Sequence, residues 1–196
     1  PVLADRIDQR AKAAGLSIEE YAYDLLLADD GRAIFYQPGA NDRDRNLDAV
    51  REMLGHPRAL FGLSDAGAHV GTVCDASFTT FLLTHWVQQG ERNGRPGIAL
   101  EAAVQMLSAR NADYLGLTDR GRIAVGQRAD LNLIDTARLA VGTPRIVRDL
   151  PAGGRRLLQR GEGYLGTWVA GQAVQIDGHV SGARPGRLVR MGPAGR

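Results

Sequence analysis

An unbroken apolar run interrupts the helical patterns in the first third of the chain. Residues 59–63 read ALFGL and follow a helical pattern that Gly55 closes and Pro57 prevents from continuing. Such a run is typical of a strand buried on both faces of a parallel sheet, although a buried helical turn can have the same composition. We therefore expect a β-strand at 59–63 within an α/β fold.

The first 120 residues otherwise carry the apolar spacing of amphipathic helices. Helices are expected at 3–14, 17–26, 47–54, 78–86 and 100–115. Ser17 and Glu20 have the spacing of a capping box at the start of the second helix. A short strand-like run lies at 32–36.

From Gly121 onward, glycines separate short apolar runs, which indicates a small all-β unit. Strands are expected at 131–134, 167–169 and 173–176. We expect one domain at 1–120, a second at 121–182, and a tail at 183–196 whose Gly, Arg and Pro content is typical of disorder.

Composition narrows the classes of partner. The net charge is +2 and the arginines are scattered, so nucleic acid is not an expected partner. Cys74 is the only cysteine, which excludes an intrachain disulfide and favours a cytoplasmic location. No apolar run is long enough to span a bilayer, so we expect no membrane partner either.

The chain opens at Pro1 directly in a helical pattern, as an excised piece of a longer chain would.

Asp65 follows the expected strand at 59–63. In parallel α/β architectures catalytic groups collect at the carboxyl ends of the strands. A carboxylate there can bind a metal ion, or act as general base toward a metal-bound water. The alternative is that Asp65 only caps the turn that follows, as Asp and Ser do after many strands.

Two stretches together resemble the amidohydrolase superfamily. Residues 62–69 read GLSDAGAH, and residues 121–135 read GRIAVGQRADLNLID, a Gly-rich turn that leads into an Ala-Asp-Leu strand. Residues 164–171, YLGTWVAG, resemble the closing strand and turn of its β-sandwich. The segment 59–174 is most similar to the N-acyl-D-amino-acid deacylase (D-aminoacylase) branch. The resemblance implies the C-terminal part of a (β/α)8 barrel, followed by strands of a small β-sandwich domain.

The resemblance also implies an activity. Members of this branch are zinc-dependent hydrolases that convert an N-acyl-D-amino acid, a linear amide, to a carboxylate and a free amino acid. Asp65 matches the aspartate after the last barrel strand, which implies a general base and a metal ligand. An open zinc site needs about three protein ligands, and the four histidines here form no His-x-His pair. We therefore expect the remaining ligands elsewhere in the parent chain, and no activity from this portion alone.

Three further side chains are candidate substrate contacts. His69 is expected to line the pocket, or to join Asp65 and Cys74 in a local zinc site, although their spacing fits no common zinc pattern. Arg155 and Arg156 can hold a substrate carboxylate through a guanidinium fork, and a surface ion pair is the alternative.

Cys74 lies at the start of an apolar helix, next to Asp75. A helix N-terminus can lower the pKa of a thiol and make it reactive. The alternative is a buried, inert thiol.

Two other functions fit the same residues. One is hydrolysis of a cyclic amide, of the dihydropyrimidinase or hydantoinase kind, and the other is a non-catalytic structural module in which Asp65 only forms a turn. The expected partners are a small-molecule amide and the remainder of the parent chain. A homo-oligomer is also expected, because a barrel strand without its neighbours exposes apolar surface.

Overall fold

The computed structural model describes residues 5–28, 32–37, 41, 46–90 and 96–190. The chain divides into two compact units, Pro1–Met53 and Leu54–Arg196. This division does not fall at residues 119–121, and the domains expected at 1–120 and 121–182 stay predictions.

Two helices of the first unit are joined by a tight turn. They are α1, Ile7–Ala14, and α2, Ile18–Leu27, and the boundary between the units falls within α3, Asp48–Gly55. Gly15 has φ 70°, and the next amide, that of Leu16, donates to the Ala11 carbonyl at 3.0 Å. This is a Schellman motif, which satisfies carbonyls at the end of α1 and requires a left-handed residue.

The predicted capping box is confirmed at the start of α2. The amide of Glu20 donates to Ser17 Oγ at 3.1 Å, and the amide of Ser17 donates to Glu20 Oε2 at 3.0 Å. Ser17 Oγ also donates to Glu20 Oε2 at 2.8 Å. This bond and the bond from the Ser17 amide lower the pKa of the Glu20 carboxyl, because both favour its ionised form.

After α3, and apart from the 3₁₀ turns Asp75–Ser77 and Pro151–Gly153, the described part of the second unit contains four helical segments. They are α4, Phe78–Phe81; a π-helical segment, Leu82–Gln89; α5, Leu100–Leu107; and α6, Ala109–Tyr114. Near the start of the π-helical segment, Thr84 Oγ1 donates to the Thr80 carbonyl. In an α-helix this carbonyl would accept from the Thr84 amide instead. The helix expected at 100–115 is divided at Ser108, whose φ of −131° and ψ of −86° are not helical.

Every described strand pairs in an antiparallel sense. The strands are β1, Leu131–Ile134; β2, Ala140–Val141; β3, Arg145–Leu150; β4, Gly154–Leu158; β5, Gly161–Glu162; β6, Tyr164–Val169; β7, Gln172–Ile176; and β8, His179–Val180. One sheet has the order β1-β6-β7-β8, and β2-β5 and β3-β4 form two smaller sheets. The three strands expected in this region are confirmed. The fold is therefore mixed α/β; the barrel and the sandwich that the resemblance implies remain expectations.

The strand predicted at 59–63 is wrong. None of these residues belongs to a strand, and Leu63 is 94% exposed with φ 52°, which is not an extended conformation. A strand is stable when neighbouring strands pair with its amides and carbonyls. No strand of the described residues lies beside this segment, and Asn111 Nδ2 donates to the Phe61 carbonyl at 2.8 Å instead.

Two other expectations concern segments without regular structure. The run at 32–36 forms no strand. Residues 183–190 of the expected tail form neither helix nor strand, and residues 191–196 lie outside the described part of the chain.

The core of the second unit lies where the helices meet the sheets. Leu82 and Ala103 are 0% exposed, and Leu83 and Leu139 are buried with them. Partly buried apolar residues surround this cluster: Leu54, Phe61, Trp86, Val87, Ile98, Leu107, Ile134 and Tyr164. Because the members come from both helices and the β region, the core joins the helical and β parts of the unit.

Two glycines in the turn before β1 give a matched test of this packing. Gly121 and Gly126 have φ of 89° and 85°, so alanine at either position costs about 1–2 kcal/mol through the backbone alone. At Gly121 a Cβ would also lie 2.7 Å from Ala112 Cβ, whereas at Gly126 it would meet nothing within 4 Å.

We expect Gly121→Ala to lower the free energy of unfolding by about 1–3 kcal/mol more than Gly126→Ala does, because of this overlap. Urea unfolding of the two variants measures the difference. Equal losses would show that α6 and the turn are not closely packed.

Candidate functional site

The loop at 64–74 carries Asp65, and its first turn is stabilised by another side chain. The amide of Ala66 donates to Ser64 Oγ at 3.1 Å. Asp65 is exposed, and among the residues that the structure describes its carboxylate has no hydrogen-bond or ion-pair partner. The turn is therefore capped by Ser64 and not by Asp65, which was the alternative role for Asp65. The Asp65 carboxylate can still bind other groups.

His69 shapes the middle of this loop through its backbone. Its φ is 47°, and its carbonyl accepts from the amide of Thr72 at 2.7 Å, Thr72 Oγ1 at 3.0 Å and the amide of Val73 at 3.0 Å. The residue itself is exposed. These three hydrogen bonds to one carbonyl stabilise the reversal of the chain, and none of them involves the imidazole.

The loop is attached to β4, the strand that carries the two candidate arginines. The amide of Leu157 donates to the Val70 carbonyl at 2.8 Å. Arg155 and Arg156 immediately precede Leu157, so the structure brings two distant parts of the sequence together at this bond.

The two arginines differ in what their guanidinium groups can do. Arg156 forms a bidentate ion pair across the β3–β4 hairpin, with Nε 2.7 Å from Asp149 Oδ1 and Nη2 2.7 Å from Asp149 Oδ2. This hydrogen bonding lowers the pKa of the Asp149 carboxyl. For Arg156 the structure therefore contains the surface ion pair, which was the alternative to a substrate contact. Arg155 is exposed, and no described residue pairs with it.

The described residues do not by themselves form the zinc site that the resemblance implies. Nowhere in the described ranges do three or more His, Cys, Asp or Glu side chains come together as a metal-binding group. The local zinc site suggested for Asp65, His69 and Cys74 is therefore not formed. Because a catalytic zinc needs about three protein ligands, we derive no step through a metal from these residues.

The pKa of the Cys74 thiol is raised, whereas a reactive cysteine has a lowered pKa. Burial, and to a lesser extent the neighbouring charge of Asp75, raise this pKa, because both disfavour the thiolate. Cys74 directly precedes a continuous helical stretch, which consists of the 3₁₀ turn Asp75–Ser77, α4 and the π-helical segment, and its pKa is raised despite this position. The raised pKa contradicts the reactive thiol and supports the other interpretation of the sequence, an inert thiol.

Sequence reasoning missed a cleft of about 610 Å³ between α4 and the four-stranded sheet. Two pairs of its polar lining residues are bonded to each other: Ser77 Oγ donates to Gln159 Oε1 at 2.5 Å, and Thr167 Oγ1 donates to Asn132 Oδ1 at 2.8 Å. The sequence signal that could have indicated this cleft is the set of polar residues within the strands, Asn132, Thr167 and Gln175. Asp65 does not line this cleft.

The motif at 121–135 is held in place by charged side chains around Asp130. Arg128 Nε lies 2.9 Å from both Asp130 carboxylate oxygens, and Arg120 bridges Asp119 and Asp130. Asp130 Oδ1 also accepts from the amide of Ala170 at 2.8 Å. The most specific sequence signal in the chain therefore has a structural role, since it ties the start of β1 to the turn after β6.

A sequence model of the amidohydrolase family matches residues 7–175, most of the chain. The chain belongs to the amidohydrolase family. Membership agrees with the two motifs on which the resemblance depended, at 62–69 and 121–135. The finer assignment to the deacylase branch is a separate matter.

The relatives that this chain matches show how much of a longer protein it covers. Uncharacterized proteins of Mycobacterium tuberculosis and Mycobacterium bovis are each 29% identical over 169 residues, which is 80% of this chain and 27% of the relative. An adenine deaminase of Methylobacterium nodulans is 36% identical over 120 residues, 55% of this chain and 21% of the relative. The chain thus spans about a quarter of the length of the relatives it matches. No solved structure matches it.

Within the described ranges, every helix is too short or too polar to cross a bilayer.

Cys74 offers a pH test of the loop environment. A raised pKa means less thiolate at any given pH, so at pH 7.5 we expect iodoacetamide to modify Cys74 more slowly than N-acetylcysteine amide, a model thiol with no neighbouring charge. The rate should rise with pH, with a midpoint above that of the free thiol. Asp75→Asn removes the repelling charge and should lower the midpoint. A midpoint below that of N-acetylcysteine amide would contradict the burial of this side chain.

Proposed function

We propose that the chain is the C-terminal part of a metal-dependent amidohydrolase that hydrolyses a linear amide, an N-acyl-D-amino acid, to a carboxylate and a free amino acid. The family match over residues 7–175 supports a hydrolase. The relatives are about four times longer than the matched region, which supports a parent chain that supplies the other active-site groups.

Asp65 is the proposed general base. The observation that carries this role is an exposed carboxylate without a partner in the described part of the chain, beside a turn that Ser64 already stabilises. Such a carboxylate can take a proton from the attacking water and return it to the leaving nitrogen as the C–N bond breaks. A zinc ion, when bound by residues of the whole protein, would acidify that water and polarise the amide carbonyl.

Arg155 and His69 are the proposed substrate contacts beside Asp65. Both belong to the two segments joined by the bond between Val70 and Leu157. An N-acyl amino acid carries a carboxylate, and an exposed guanidinium without a partner among the described residues suits it. Arg156 was an equal candidate at first, but its commitment to Asp149 makes Arg155 the stronger one.

A second candidate is hydrolytic deamination. One relative is named an adenine deaminase and is 36% identical to this chain over 120 residues. Both reactions add water and expel nitrogen, so Asp65 would have the same role in each. Hydrolysis of a cyclic amide fits the same residues as well. The family match favours any of these over a non-catalytic structural module.

The whole protein is also proposed to cover apolar surface that this portion exposes. Leu63, Ile123 and Val125 are almost fully exposed. Burial of apolar surface is favourable by roughly 25 cal/mol per Å², so this surface favours contact with the remainder of the parent chain or with a second copy. We further propose zinc as the metal and the cytoplasm as the location, the latter because the single cysteine needs no oxidising compartment.

A panel of four substrates separates the candidate reactions. The complete protein, loaded with zinc, is assayed with N-acetyl-D-leucine, N-acetyl-L-leucine, dihydrouracil and adenine. We expect the highest kcat/KM for N-acetyl-D-leucine. Turnover of adenine alone would replace the deacylase proposal with the deaminase, and turnover of dihydrouracil alone would replace it with the cyclic-amide hydrolase.

Substitution of Asp65 tests the general base. In the complete protein, Asp65→Asn should lower kcat by about two orders of magnitude or more, because the amide cannot accept the proton of the attacking water. Asp75→Asn, at the end of the same loop, is the matched control and should leave kcat within about threefold. Circular dichroism verifies that both variants are folded. Equal activities of the two variants would refute the role of Asp65.

A further inference from the structure

Side chains of α6 bind the backbone of the segment that leads to Asp65. Arg110 Nη2 lies 3.1 Å from the His56 carbonyl oxygen and 2.5 Å from the Pro57 carbonyl oxygen. The neighbouring residue, Asn111, donates through Nδ2 to the Phe61 carbonyl at 2.8 Å. Two consecutive residues of one helix therefore hold three carbonyls of one irregular segment.

These bonds matter because the segment has no strand pairing of its own. Residues 59–63 belong to no sheet, so their carbonyls need other partners or water. The Phe61 ring stacks on Phe78 with centroids 5.4 Å apart, which fixes the side chain of the same residue whose carbonyl Asn111 holds. Phe61 is therefore held at both its backbone carbonyl and its side chain, four residues before Asp65.

The other end of the loop is held as well. Val70 is bonded to Leu157, and the His69 carbonyl accepts three hydrogen bonds. Asp65 thus lies between two anchors, four residues after Phe61 and five before Val70. A shift of the Phe61 anchor changes where the carboxylate is presented, without touching the carboxylate itself.

We propose that Arg110 and Asn111 are positioning residues, which hold the backbone before Asp65 so that its carboxylate meets the substrate in a fixed place. This inference rests on the proposed catalytic role of Asp65. The residue types suit the task, since one planar guanidinium can donate to two consecutive carbonyls and a neutral amide donates without adding charge.

Three variants of the complete protein test the inference. Asn111→Asp keeps the shape of the side chain but removes its donor, and Arg110→Gln shortens the reach to the two carbonyls. Arg122→Gln is the matched control: it removes an arginine that pairs with Asp113 of the same helix, 2.6 Å away, and it touches none of the three carbonyls.

The first measurement is catalytic. With N-acetyl-D-leucine we expect Asn111→Asp and Arg110→Gln to lower kcat about tenfold with KM within about twofold, and Arg122→Gln to change neither. In the background of Asp65→Asn, the same two substitutions should lower kcat no further. A merely structural role would lower both backgrounds by the same factor.

The second measurement does not depend on activity. Trypsin cuts after Arg58, which is exposed and lies between the carbonyls held by Arg110 and Asn111. Release of the segment should speed this cleavage about threefold or more in Asn111→Asp and Arg110→Gln, but not in Arg122→Gln. If one variant fails to accumulate, the other suffices.

The outcomes separate the two ideas. If wild-type protein does not hydrolyse N-acetyl-D-leucine, or if Asp65→Asn keeps full activity, the proposed function fails, while the tryptic rates still decide whether α6 holds the segment. If Asp65→Asn is inactive but Asn111→Asp and Arg110→Gln match Arg122→Gln in kcat or in cleavage after Arg58, the positioning inference is overturned.

Discussion

The packing of Leu82 and Leu83 against Ala103 and Leu139 is the interaction on which the rest of the second unit depends. Full burial of a leucine side chain contributes about 1.5–3 kcal/mol, and these contacts join the helices to the β region. The hydrogen bond between Thr80 Oγ1 and the Tyr164 hydroxyl, at 2.8 Å, satisfies the polar groups at the same junction. Phe61 packs against this cluster too, so the approach to Asp65 is built on the same core.

Features of the fold that depend on neighbours in sequence could be predicted. Ser17 and Glu20 form their capping box because both partners lie within one helical turn, and β1 occupies 131–134 as its apolar run between glycines indicates. The strand at 59–63 was wrong because strand pairing depends on distant partners, which composition does not reveal. The break at Ser108 was also missed, because the apolar spacing continues across it.

The candidate site shows the same limit. Asp65 was found from its motif, but the roles of its neighbours depend on tertiary contacts. Arg156 pairs with Asp149 only because the β3–β4 hairpin brings them together, and the thiol of Cys74 is shielded by burial that no local pattern announces. Arg110 and Asn111 hold carbonyls about fifty positions earlier in the chain, so sequence reasoning gave them no role.

A metal position measured in the complete protein tests the central claim most directly, because it does not depend on the choice of substrate. Crystals grown with zinc and measured at the zinc absorption edge would locate the ion by anomalous scattering. The account predicts a zinc peak within about 5 Å of the Asp65 carboxylate, the reach of a direct ligand or of one intervening water. A zinc ion with its full set of ligands more than roughly 10 Å from Asp65 would contradict it.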